Sequence, residues 1–111
     1  VKHFAEKLVQ LNGRRFERLH LSGGLSGLAA VRELTGCIFN MPLMEHHTGE
    51  SSALGTAFFT ALKMGLVKNL KEIVNWNPVV KTHFPDTTRA GFYEEAYQNF
   101  RKVSKEFLSK P

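Results

Sequence analysis

A single cysteine, Cys37, stands in the 111 residues, so no internal disulfide can brace this chain. One isolated thiol fits a reducing compartment, and the expected localisation is cytoplasmic. No apolar run approaches the roughly 18 residues that would suggest a membrane span. No basic-then-apolar leader pattern follows Val1. Acidic residues are outnumbered, 10 against 15 basic, for a net charge of +5. The basic residues are scattered, with some gathering at Arg101, Lys102, Lys105 and Lys110. That pattern reads as a solvated helix face. No strand interleaves aromatic and basic residues as an RNA-binding sheet does, so no nucleic-acid partner is expected. Internal repeats, low-complexity runs and linkers are also absent. The length bounds the chain to one small unit, with a core that hides about two-thirds of the surface of the unfolded chain.

What is present is an alternation of helix and strand. Phe4, Leu8 and Leu11 fall at helical spacing, and Asn12-Gly13 is a stop signal. Residues 16–21 alternate and predict a strand. Leu28, Val31, Leu34, Thr35 and Ile38 trace a helical stripe, and Met41-Pro42-Leu43 a short strand. Ala53, Leu54, Ala57, Phe58, Ala61, Leu62, Gly65 and Leu66 trace a broader stripe, predicted to lie against a sheet. Leu70, Ile73 and Val74 suggest a short helical turn. Residues 76–85 carry Pro78 and Pro85 and read as connection. Phe92, Tyr93, Ala96, Tyr97, Phe100, Val103 and Phe107 predict a long amphipathic helix running to the end. The fold class is α/β, with few strands and helices packed on them. Two strands make a poor sheet alone, so the chain reads as part of a larger one.

The strongest signal for function is Ser22-Gly23-Gly24, between the first strand and the helix after it. Glycine permits positive φ and close backbone approach, and the following helix start offers unpaired N–H groups. Ser26 adds a hydroxyl nearby. Glu50 reads as a first-turn carboxylate complementing its helix dipole. Gly55 reads as a site of close helix packing. Asp86, after Pro85, reads as a helix cap. His46, His47 and Glu50 invite a metal reading, but Gly49 interrupts the run and no third ligand stands at a suitable spacing, so no metal site is expected. Cys37 lies on the apolar side of its helix without an adjacent base, and reads as core.

The order Ser22-Gly23-Gly24, Met41-Pro42-Leu43 and Glu50 to Ala57 resembles the C-terminal part of the FGGY carbohydrate kinases, of the actin-like ATPase superfamily. Leu70-Lys71-Glu72-Ile73, Phe84-Pro85-Asp86 and the span from Tyr93 to Tyr97 extend the resemblance over nearly the whole chain. It implies a partial ribonuclease H-like domain, with residues 1–111 forming one segment of the nucleotide-side domain. It further implies that Gly23, Gly24 and Ser26 border the adenosine of ATP. The parent would transfer the γ-phosphoryl group from Mg-ATP to a sugar or polyol hydroxyl. Phosphate loop, Mg2+ ligands and catalytic base would lie upstream, leaving no catalytic residue here and an inactive segment. A homo-oligomer is compatible with this picture. Leu28 departs from the family pattern, standing where relatives carry a polar nucleotide contact. Glu33 and Cys37 replace a frequent Gln and Asp. Without the resemblance, the same glycines fit a non-enzymatic α/β interaction module.

Overall fold

The computed structural model describes residues 1–109; Lys110 lies outside the described residues. Helix α1 (Lys2–Asn12) closes on Gly13, whose N–H donates to the Val9 carbonyl. Strand β1 covers only Leu19–His20, so most of the expected strand over 16–21 is irregular. A 3-10 turn (Gly24–Gly27) follows, and α2 (Ala29–Phe39) starts only after it. The junction expected to run from glycine straight into helix therefore holds an extra tight turn. Strand β2 (Leu43–His46) and α3 (Ser51–Lys63) come next. A 3-10 turn (Leu70–Glu72) continues into α4 (Ile73–Trp76), in the region expected to form a short helical turn. Asn69 and Glu72 close a capping box at its start.

Strand β3 (Val79–His83) corrects the reading of residues 76–85 as connection. Pro78 and Pro85 bracket this strand rather than interrupt it, so no ladder N–H is lost inside it. The sheet has the order β1-β2-β3. β1 and β2 are parallel, with Leu19 opposite Leu43. β2 and β3 are antiparallel, with Leu43 opposite His83 and an irregularity between Glu45 and His46. Asp86 caps the 3-10 turn Thr87–Arg89 by accepting the Thr88 N–H, as expected, and α5 (Ala90–Leu108) follows.

The core is small and divided. Cys37 and Leu43 are fully buried where α2 meets the sheet. Phe58, Ala61 and Val67 form a second cluster with Leu62 and Trp76, and the Phe58 and Trp76 rings meet edge to face at 5.2 Å. Tyr97 ties α5 to α1: its hydroxyl donates to Glu6 at 2.6 Å, and Lys2 sits over its ring. Helix α3 packs mainly through Phe58 and Ala61 toward Val67 and Trp76, not along a sheet as its broad stripe predicted. Its other side, with Phe59, is open. Gly55 belongs to that open side: no atom lies within 4 Å of the position a Cβ would take, so it mediates no close helix contact.

Candidate functional site

The 3-10 turn, the start of α2, the end of β2 and the loop of residues 47–50 enclose an open cleft of about 310 Å³. Gly23, Gly24 and Ser26 all line it, so the structure brings the three expected site residues together.

Backbone chemistry explains the local path. Gly23 has φ 98° and ψ 175°, a conformation that L side chains rarely adopt. Its N–H donates to the Gly49 carbonyl at 2.9 Å. Its own carbonyl accepts the Ser26 N–H at 2.9 Å and the Ser26 hydroxyl at 2.7 Å. The Ser26 hydroxyl proton is thus engaged by the turn itself, and its oxygen stands against Gly49. Gly24 differs from Gly23: its φ is outside the left-handed region, and no atom lies within 4 Å of its Cβ position. Neither backbone strain nor internal crowding demands glycine there. Gly49 is the opposite case, because a Cβ on it would collide with Ser26 Oγ and crowd the Gly23 carbonyl.

The loop of residues 47–50 is pinned from the other side by Asn77. The Thr48 N–H donates to Asn77 Oδ1 and Asn77 Nδ2 donates to the Thr48 carbonyl, both at 3.0 Å. His46 Nδ1 lies 2.8 Å from the Asn77 carbonyl, an acceptor, so this nitrogen carries the proton. His46 Nε2 then accepts from His20 Nδ1 at 2.7 Å. Partial burial first, then the neighbouring His46 and Arg18, hold the His20 imidazole below its usual range. Both His46 nitrogens are engaged, and no group of three metal-binding side chains gathers among the described residues. Glu50 occupies the N-cap position of α3, one residue before the first turn in which it was expected, and its side chain makes no capping hydrogen bond. Leu28 is the N-cap of α2, half-exposed and outside both the core and the cleft lining.

Sequence reasoning missed the charged floor of the cleft. Glu45 Oε2 lies 2.5 Å from His83 Nε2, and Glu45 Oε1 lies 3.7 Å from Arg32 Nη1. The His83 hydrogen bond, then Arg32 and Lys81, hold the Glu45 carboxyl below its ordinary value. Arg32 Nη1 also donates to the Ser26 carbonyl at 2.7 Å. The only signal that could have found this group was the β3 strand, which brings His83 beside Glu45. Glu33, next to Arg32 on α2, pairs instead with Arg89 at 3.1 Å on the surface.

No protein-family model matches the chain. It is 24% identical over 109 residues to glycerol kinase 1 of Thermotoga maritima, covering 96% of this chain and 22% of that protein. Its fold is similar to xylulose kinase from Lactobacillus acidophilus, with a TM-score of 0.78 and 22% identity over 96% of this chain and 22% of that one. Gluconate kinase from the same organism gives a TM-score of 0.80 at 23% identity, with 96% of this chain covering 21% of that one. The chain thus has the mixed α/β fold of one segment of FGGY-type carbohydrate kinases, and spans about a fifth of their length. No described helix is long and apolar enough to cross a membrane.

Proposed function

We propose that this chain is the C-terminal, nucleotide-side segment of an ATP-dependent sugar or polyol kinase, and that Gly23, Gly24 and Ser26 border the adenosine. One observation carries the reading: Gly24 lines the cleft, yet nothing in its own backbone or surroundings requires glycine. A residue left bare for no internal reason, at a strand-to-helix turn, fits close approach by a flat ligand. The likeness to glycerol, xylulose and gluconate kinases supports the class.

The cleft residues fit an adenosine group. The bare Gly23-Gly24 backbone offers a surface for a planar base, and the Ser26 oxygen can accept a hydrogen bond from ribose. When bound, ATP supplies the γ-phosphoryl group that passes to a carbohydrate hydroxyl. The chain's own part is to orient the nucleotide and shield one side of it from water. Mg2+ is expected to bind to residues elsewhere in the parent, since Glu45 is already engaged by His83 and Arg32. In this reading the parent works in the cytoplasm on soluble substrates.

Gly24→Val in the full-length protein tests the assignment. The backbone at Gly24 tolerates a side chain and the space is open, so the variant should fold. Its KM for ATP should rise about tenfold, equivalent to about 1.4 kcal/mol, with the carbohydrate KM nearly unchanged. A folded variant with an unchanged ATP KM rejects the reading and favours a module whose glycines serve only the turn. Gly23 is the poorer probe, because its φ of 98° strains any substitution.

A further inference from the structure

Arg32 stands close to the N-terminus of α2, where the helix dipole disfavours a cation. Its side chain is only 15% exposed, and its Nε–H is buried without an acceptor. A guanidinium in so unfavourable a place needs compensation, and the compensation is specific. Nη1 donates to the Ser26 carbonyl at 2.7 Å and lies 3.7 Å from Glu45 Oε1. The other oxygen of Glu45 is held by His83. Glu45 and His83 sit diagonally across the β2–β3 register, on the sheet face that carries buried Leu43. Ser26 in turn holds the Gly23 carbonyl through both its N–H and its hydroxyl. One chain of contacts therefore runs from the sheet, through Glu45 and Arg32, to Ser26 and Gly23.

We infer that Arg32 is a positioning residue for the nucleotide: it latches the Gly24–Gly27 turn to the Glu45–His83 pair and so fixes the backbone that the adenosine meets. This rests on the nucleotide reading given above. The turn itself is short of other anchors. Its internal bonds join only its own residues, and the Gly23 N–H to Gly49 contact ties it to a loop. Arg32 connects it to the sheet. Without that latch the turn keeps its shape but loses its fixed place, so nucleotide affinity should suffer while chemistry on a bound substrate does not.

Steady-state kinetics on the full-length protein, with ATP and carbohydrate varied separately, test this. Arg32→Met keeps the apolar stem and removes the donor. Its ATP KM should rise about tenfold, with kcat and carbohydrate KM within about twofold of wild type. Arg32→Lys keeps a cation and one donor, and should recover most of the loss. Hydrogen exchange at the Gly23 amide, which bonds out of the turn to the Gly49 carbonyl, should quicken in Arg32→Met while Leu54 in α3 stays unchanged. A folded Arg32→Met with normal ATP KM overturns the latch, as does an equal decline in kcat and both KM values with no rescue by lysine. If Arg32→Met does not fold, Glu45→Gln tests the same latch: it should show the same ATP-specific loss in smaller measure, and none overturns it. Gly24→Val separates the two ideas. If it raises the ATP KM and Arg32→Met does not, the latch falls and the nucleotide reading stands. If neither variant moves the ATP KM, both fall.

Discussion

Leu28 shows how far one residue's role depends on its neighbours. Its spacing with Val31, Leu34 and Ile38 places it at the head of an apolar stripe. In the fold it is the N-cap of α2, at φ −82° and ψ 119°, 54% exposed and with no side-chain cap. An N-cap favours a side-chain oxygen that can accept the early helix N–H groups. Leu28→Asn should therefore stabilise the protein by about 1 kcal/mol. Thermal melting of the full-length variant checks this, and a lower Tm would show that the leucine packs where the structure leaves it open. Gly23 and Gly49 illustrate two different demands at the same junction. The first needs positive φ, while the second needs room for Ser26.

Among the elements, the short parallel pair β1–β2 carries the cleft and has few bonds to hold it. The Leu19 N–H donates to the Pro42 carbonyl at 2.8 Å, and the His20–His46 contact staples the strands beside it. Partial burial first, then His46 and Arg18, make the folded state favour the neutral His20 ring. Its folded pKa lies below the ordinary 6.5, so the unfolded chain takes up the proton first as pH falls. The stabilisation is thus fully present above 6.5 and is lost as pH drops through that value toward the lower folded one. The protection factor of the Leu19 amide should hold above pH 6.5 and fall as the pH drops below it. His20→Gln, which cannot titrate, should flatten the change. An equally steep fall in that variant would assign the effect elsewhere.

At the scale of the whole molecule, the chain is open. Its accessible surface is 8713 Å², against about 6,200 Å² for a compact folded chain of this mass. Its radius of gyration is 17.6 Å, against about 13 Å for a compact domain of this length. Phe4 and Leu11 on α1, Phe59 on α3 and Phe92 and Phe100 on α5 are exposed. The expectation that two-thirds of the unfolded surface would be hidden overstates what these residues do alone. Expressed by itself, the 111-residue chain should bind a hydrophobic dye such as ANS and unfold over a broad range. It should also release no ADP from ATP with pentoses, hexonates or glycerol, because phosphoryl transfer needs a metal and a base that this reading places elsewhere. Carbohydrate-dependent turnover by the pure segment would contradict that. A sharp two-state melt without dye binding would show a more self-sufficient fold.

The order of elements was written in local signals: helical spacing in α1, α2 and α5, the stop at Gly13, the cap at Asp86 and the paired glycines after β1. These are legible because periodicity, capping and positive φ act within a few residues of chain. The turn at Gly23-Gly24 was legible for the same reason, whereas Ser26 was drawn in by the family resemblance; nucleotide contact by all three is the proposal made above. Strand β3 was not, since its two flanking prolines mask a short strand whose pairing partner lies far back in the chain. The charged floor was hidden with it: Glu45 meets His83 and Arg32 only once β2 and β3 pair and α2 covers them. The split face of α3 and the exposed cap at Leu28 also waited on packing. An apolar stripe shows which side of a helix prefers burial, whereas what covers it depends on contacts between residues distant in sequence.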